Sequence, residues 1–302
     1  MSSKTKLLAI NILIIFITLA VFTGLTIMTD PFNLFRNIGR GSAAAPSDGN
    51  SARIPILMYH HFANDGAPAT VISAYAFENQ LKALSEAGYT AISFEELRDF
   101  VYDGVQLPEL PVIITIDDGY MSVYETAYPI LGKYGMKATV FIIGISHGKS
   151  VYKDTQYPII PRFNDAEALE MVQSGVISIQ SHSYDMHHHE PYETGPFRKG
   201  VLQRDDESEA EYIEAFNSDF EQAAAQIEAM VGARPFVFSY PFGLSSALAE
   251  TLLRDMGVEV TLTIADGMNK VSRKDPDSLF RLNRFNVPGD MTPGELLEMI
   301  GG

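Results

Sequence analysis

The 302-residue chain has no cysteine and no tryptophan, and it has no histidine after His189. Without cysteine there can be no disulfide scaffold, thiolate metal site or cysteine nucleophile. Any metal must therefore be held by imidazole and oxygen. Positive charge is also scarce, with 22 Lys and Arg against 38 Asp and Glu, a formal balance of −16. A nucleic-acid binder needs a basic face to displace counterions, so no nucleic-acid partner is expected. What is abundant is apolar material: 46% of residues are hydrophobic, enough for a sizeable core and too much for wholesale disorder.

The first apolar feature is an uncharged run of 22 residues, Leu7 to Met28, preceded by Lys4 and Lys6. About 20 apolar residues at 1.5 Å per residue cross a ~30 Å hydrocarbon layer. The run exceeds the usual core of a signal peptide. Residues 1–29 are therefore read as a membrane anchor, with a cleaved signal sequence as the alternative. The two lysines keep the short end inside and place the rest outside the cell membrane. Residues 30–51, with Gly39-Arg40-Gly41-Ser42 and Pro46-Ser47-Asp48-Gly49-Asn50, read as a flexible linker. Residues 52–302 are the expected globular domain.

Within that domain short apolar runs alternate with amphipathic segments. Strands are predicted at Ile54–Tyr59, Tyr89–Ile92, Val112–Ile116, Ala138–Ile143, Val176–Gln180, Phe236–Tyr240 and Val258–Ile264. Helices are predicted around Phe77, Leu81 and Leu84, and over Met121–Tyr134, Ala166–Ser174, Glu209–Val231 and Ala247–Met256, with a last one opening at Thr292-Pro293. Ser93 with Glu96 and Ser208 with Glu211 form expected capping boxes, and Asp165 is an expected cap. Seven strands alternating with helices predict an α/β fold whose parallel sheet closes into a barrel. Function then belongs on the loops after the strands' carboxyl ends.

Four polar motifs sit at such ends. Val112–Ile116 runs into Asp117-Asp118-Gly119, and alternation along the strand lets one carboxylate hold a cation while the other handles a proton. Ile177–Gln180 runs into Ser181-His182, with His187, His188 and His189 following on the loop. Two imidazoles and a carboxylate would leave a cation open to water and substrate. His182 at the tip of an apolar strand is hard to explain as a solvated tract, although His188 or His189 could stand in for His187. Phe238-Ser239-Tyr240-Pro241-Phe242-Gly243 ends a strand in a turn whose freed N–H could face an oxyanion. Ile54–Tyr59 ends in His60-His61.

Thr115-Ile116-Asp117-Asp118-Gly119, His182-Ser183 with His187, and Phe238–Gly243 resemble the three leading motifs of the polysaccharide deacetylases with a NodB homology domain, carbohydrate esterase family four. The resemblance covers roughly residues 54–300. It implies a distorted (β/α)7-type barrel, with the site at the carboxyl ends of its strands, behind the N-terminal transmembrane helix. It implies a divalent metal, zinc by preference, held by Asp118, His182 and His187. Asp117 is implied as general base and the Tyr240 N–H as oxyanion donor.

Three departures matter. The histidines are five apart rather than four. Ser239 stands where an arginine orients the base in many members, so Arg284 or Arg281 would have to supply that charge. The general-acid histidine usually comes late, and none is available. The order here is similar to the circularly permuted branch that deacetylates poly-N-acetylglucosamine, which implies His60 as general acid with His61 second. The expected function is removal of acetyl groups from N-acetylglucosamine-containing polysaccharide outside the membrane. An O-acetyl glycan esterase on the same site and a non-catalytic tethered glycan-binding domain are the alternatives. The insertion Glu190–Asp206 could line the substrate groove.

Overall fold

The computed structural model describes residues 49–188, 192–193 and 195–301. The predicted membrane segment, most of the predicted linker and His189 lie outside the described residues. Among those described, no helix is long and apolar enough to cross a membrane.

Eight parallel strands form the main sheet: β1 Ile56–Tyr59, β2 Thr90–Ala91, β3 Pro111–Asp118, β4 Ala138–Ile142, β5 Ile177–Ser181, β6 Val237–Ser239, β7 Val260–Leu262 and β8 Phe285–Asn286. Their order is β7-β6-β5-β4-β3-β1-β8, with β2 paired to β3 near its start. Leu282 bridges in parallel to Leu262 of β7, and three residues later Phe285 pairs with Leu57 of β1. Residues 282–286 therefore touch both margins of the sheet. The fold is α/β with a curled parallel sheet, consistent with a (β/α) barrel.

Each of the seven predicted strands overlaps a strand of this sheet: five are shorter than predicted, Val176–Gln180 is shifted by one residue, and Val112–Ile116 extends to Pro111–Asp118 and so takes in both carboxylates. The run 54–59 is divided at Pro55, which has no N–H to give a ladder. Ile54 alone belongs to the preceding strand Ser51–Ile54, which pairs antiparallel with Asn269–Ser272. That pair, the short pair His61–Phe62 with Val71–Ile72, and β8 were not foreseen. Strands of two to four residues carry too little periodicity to stand out from loop.

Seven α-helices are described: α1 Ala74–Glu86, α2 Phe94–Tyr102, α3 Tyr128–Lys133, α4 Asp165–Gln173, α5 Glu209–Val231, α6 Ala247–Asp255 and α7 Pro293–Gly301. The capping boxes Ser93/Glu96 and Ser208/Glu211 are present. For α4 the cap is Asn164, whose side chain accepts from Ala166 and Glu167 N–H while Glu167 reaches back, so Asp165 is the first helical residue instead. The predicted helix 121–134 is interrupted by a wide turn at Val123–Ala127 before α3. Tyr128 N–H there bonds Val123 O, five residues back, just ahead of Pro129, which cannot donate.

Strand β3 is buried on both faces, as parallel strands covered by helices are. Val112, Ile114 and Ile116 pack with Phe77, Leu81 and Leu84 of α1 and with Ala168 and Met171 of α4. Ile113 instead packs with Ile56, Phe141, Val237, Val260 and Leu262 inside the curl. By strict alternation Thr115 and Asp117 share that inner face. The sheet thus delivers Asp117 to the inner face at the carboxyl end of its strands.

Candidate active site

Asp117 is 2% exposed at the end of β3, and it is not left unpaired. Arg284, wholly buried just before β8, grips it with two parallel bonds, Nη1 to Oδ1 at 2.7 Å and Nη2 to Oδ2 at 2.8 Å. The guanidinium is itself fixed, because Nε donates to Thr263 O and Nη1 also reaches Thr115 Oγ1. Burial alone would raise the Asp117 carboxyl, but the guanidinium beside it holds it below the usual carboxylate range. Arg284, not Arg281, supplies the charge that Ser239 cannot. Arg281 sits at φ 57° with its N–H on Thr261 Oγ1.

Asp118 turns out of the strand in the left-handed region, at φ 77°, followed by Gly119 at 69°. Such a backbone is costly for a residue with a Cβ and persists where surrounding bonds demand it. Here Arg162 Nη1 donates to the Asp118 carbonyl at 2.8 Å, and the Arg162 guanidinium lies 3.8 Å over the Tyr120 ring. A Cβ on Gly119 would sit 3.0 Å from Ile142 Cγ2, a tight contact on top of the positive φ. The Asp118 carboxyl is pushed up by burial, yet His187 and Arg162 hold it well below the usual range.

His182 follows β5 and is 3% exposed. Its Nδ1 lies 2.8 Å from the Ser239 carbonyl, which can only accept, so Nδ1 carries the proton and Nε2 keeps a lone pair. That Nε2 is 3.8 Å from Asp117 Oδ2 and 3.8 Å from Asp118 Oδ1. His187 Nε2 is 3.7 Å from the same Asp118 oxygen, and the two imidazole rings are 5.1 Å apart. One ligand atom from each of Asp118, His182 and His187 lies within 4.8 Å of the other two. Burial lowers the His187 pKa to about 4, with Asp118 opposing, so this imidazole is neutral at pH 7, as a metal ligand must be. The donor set, its protonation and its spacing fit a divalent cation.

The loop between the two histidines is shaped by Asp219 of α5. Its carboxylate accepts from Tyr184 N–H at 2.8 Å and Asp185 N–H at 2.6 Å. Burial pushes this group up to about 6, against the pull of those two N–H groups. Ser183, at φ 71°, starts the same turn.

His60 follows β1, and its Nδ1 is buried with no hydrogen-bond partner. Tyr59 pairs with Ile116 of β3, so His60 follows at the level of Asp117 at the carboxyl end of the sheet. His61 is engaged elsewhere: Nδ1 is 2.8 Å from Ser122 Oγ, which also accepts from Phe62 N–H. Tyr240 requires a correction. Its N–H donates to Leu262 O at 3.0 Å in the ladder between β6 and β7, and its hydroxyl donates to Glu250. Within this turn the N–H groups of Gly243 and Leu244 are also bonded and Pro241 has none, which leaves the N–H of Phe242. Phe242 is at φ 57°, and its ring lies 4.3 Å from that of His187.

A second cluster stands beside the first. One atom each of Asp185, His188 and Glu193 also lies within 4.8 Å of the others. Lys153 already sits there, 2.8 Å from Asp185 and 2.6 Å from Glu193. Arg198 N–H donates to His188 Nδ1, so the His188 proton must be on Nε2, the atom facing Glu193 at 3.8 Å. This set is a clamp for an ammonium group and does not fit a metal.

Sequence reasoning missed Arg162 and Asp219, and within the turn it had marked it chose Tyr240 over Phe242. Of the two missed, only Asp219 left a signal, as a carboxylate on the apolar stripe of α5 beside Phe216 and Phe220. Of the insertion Glu190–Asp206, Arg198 is spent on a buried pair with Glu207, while Tyr192 lines a hollow beside the site.

Residues 104–261 match the family described as polysaccharide deacetylase. The protein YxkH of Bacillus subtilis (strain 168), named for that family, is 37% identical over 134 residues, 44% of this chain and 43% of that protein. The poly-beta-1,6-N-acetyl-D-glucosamine N-deacetylase of Escherichia coli K12 is 25% identical over 234 residues, 72% of this chain and 35% of that protein. This chain thus spans less than half the length of either relative. In fold it is similar to a de-N-acetylase from Aggregatibacter actinomycetemcomitans, with a TM-score of 0.68 at 22% identity over 82% of this chain and the whole of the other.

Proposed function

Because this chain belongs to the polysaccharide deacetylase family, we propose that it is a metal-dependent hydrolase removing acetyl groups from N-acetylglucosamine-containing polysaccharide. The observation that carries this reading is the convergence of Asp118, His182 and His187 beside an Asp117 clamped by Arg284. The name of the Escherichia coli relative supports an N-acetyl substrate. Zinc suits the two imidazoles and one carboxylate. In its cell the domain works outside the membrane, tethered by residues 7–28 as an anchor.

Asp118, His182 and His187 would hold the cation. Bound there, it would act as a Lewis acid on the acetyl carbonyl and make a nearby water more acidic. Asp117 accepts the proton of the attacking water. Arg284 keeps that carboxylate ionised and aimed, since both oxygens are tied to one rigid fork. The N–H of Phe242, in place of that of Tyr240, faces the oxygen on which charge develops. His60 gives a proton to the departing amine nitrogen, which cannot leave as an amide anion. His61 supports this edge by holding Ser122.

The test is acetate release from N-acetylglucosamine oligomers, with and without chelator. Release that stops with chelator and with Asp117→Asn supports the reading. Release that chelator leaves untouched would overturn it. Release from O-acetylated xylan alone would make the protein an esterase.

A further inference from the structure

A hollow of about 260 Å3 opens directly from the reaction site. Its wall includes Asp118 and His187 of the reaction site together with Tyr152, Ile159 and Tyr192. Its volume lies at the small end of ligand clefts, room for one compact group and not for a chain. Beyond it the aromatic surface continues. The Tyr192 ring stacks on Tyr157 at 5.1 Å with 30° between planes, and lies 5.8 Å from Tyr152. Tyr152 is buried and fastens the loop. Tyr157 is 51% exposed, more than loop packing requires.

We propose that Tyr157 and Tyr192 form a second sugar subsite, which takes the pyranose ring next to the one being deacetylated. This deepens the deacetylase reading and rests on it for the identity of the reacting ring. A pyranose offers C–H groups on its faces and hydroxyls at its rim. A tyrosine offers an apolar face and a polar tip, so the two surfaces complement each other. The shelf is also stiff before any ligand arrives. Tyr152 hydroxyl donates to Glu193, the neighbour of Tyr192, at 2.7 Å. Lys153 joins Glu193 to Asp185 on the loop that carries His187. Holding both walls in place reduces the ordering cost of binding. The Lys153 ammonium is matched by two carboxylates, so this node carries no surplus positive charge for an anionic polymer and suits a neutral sugar.

The experiment uses the full chain and the pentamer of N-acetylglucosamine. Binding is read by calorimetry on chelator-treated protein, and turnover is read as KM and kcat on the metal-loaded enzyme. Tyr157→Ala and Tyr192→Ala are each expected to weaken pentamer binding and raise KM by roughly 3- to 10-fold, with kcat kept. Tyr157→Phe retains the ring and should stay within about twofold of the parent. A fall in kcat at constant KM, or unchanged binding in both alanine variants, would overturn the subsite. If the parent releases no acetate and the alanine variants still lose pentamer binding, the subsite stands and the proposed reaction fails. If acetate is released and KM is indifferent to both tyrosines, the reaction stands and the subsite fails.

Discussion

The clusters Asp118–His182–His187 and Asp185–His188–Glu193 are built from the same kinds of residue, share the loop that follows β5, and have their ligand atoms within the same reach of one another. What separates them is the far nitrogen of the imidazole. In the first, His182 gives its Nδ1 proton to the Ser239 carbonyl and turns a lone pair toward the carboxylates. In the second, His188 Nδ1 receives an N–H from Arg198, and the space between the carboxylates belongs to Lys153. Ligand composition therefore does not make a site. The hydrogen bond that sets the tautomer, and whatever already fills the space, decide it.

The largest effect should come from attacking that contrast directly. His182→Ala or Asp118→Asn is expected to abolish metal retention after dialysis, measured as ions per chain, because two remaining ligands hold a divalent cation poorly. Asp185→Asn and Glu193→Gln should leave the count at one. A parent that retains two ions, or a Glu193→Gln variant that retains none, would end the distinction.

The charge pairs at the two clusters, Asp117 with Arg284 and Lys153 with Asp185 and Glu193, differ in burial. Asp117 and Arg284 are both enclosed, so Arg284→Met strands a buried carboxylate and should cost about 3–5 kcal/mol in urea unfolding. The double variant with Asp117→Asn should recover much of that loss, since both halves of the pair are then gone. No recovery would mean that Arg284 acts through Thr263 and Thr115 instead.

An intermediate effect is expected at Asp219, which touches neither cluster's ligand atoms but holds the turn between them. Asp219→Asn keeps one acceptor oxygen for two N–H groups and should weaken metal affinity by roughly 10- to 100-fold in chelator competition. Its pH signature is distinct. The folded pKa of about 6 lies above the unfolded value of 3.8, so the folded chain binds this proton more tightly. The stability it contributes is complete below about 4 and is lost as pH rises through 6. In Asp219→Asn that slope between pH 4 and 6 should disappear from the metal-free melting curve.

Much of this site was readable from the chain. Asp117, Asp118 and His182 stand at the ends of apolar runs, and a parallel strand buried on both faces announces itself by that continuity. Once alternation is counted back from Asp117, its inner-face position follows from the burial of Ile113 and Thr115. The Tyr240 assignment failed because a strand end shows where a ladder stops in sequence, not which N–H is the last one used. β6 pairs one residue further, through Tyr240 to Leu262. Arg162 and the Tyr157–Tyr192 shelf were invisible because they depend on how two loops fold against each other. No periodicity records that. Asp219 was visible in principle, as the one carboxylate on the buried stripe of α5.

The smallest effect is the one that best tests whether the second cluster is only a clamp. Lys153 is 18% exposed and sits in the left-handed region, at φ 48°, with its ammonium shared by two carboxylates from the other wall. Water competes for such a partly open pair, so Lys153→Met should cost no more than about 1 kcal/mol. Metal stoichiometry should stay at one, because His187 is tied to Asp118 and its loop to Asp219 without help from Lys153. The loss should appear in the shelf, where Glu193 and Tyr152 would move more freely and pentamer binding should fall by a few fold at most. If Lys153→Met instead gained a second tightly held ion, the ammonium would have been excluding a metal from a site that the His188 tautomer says is not there.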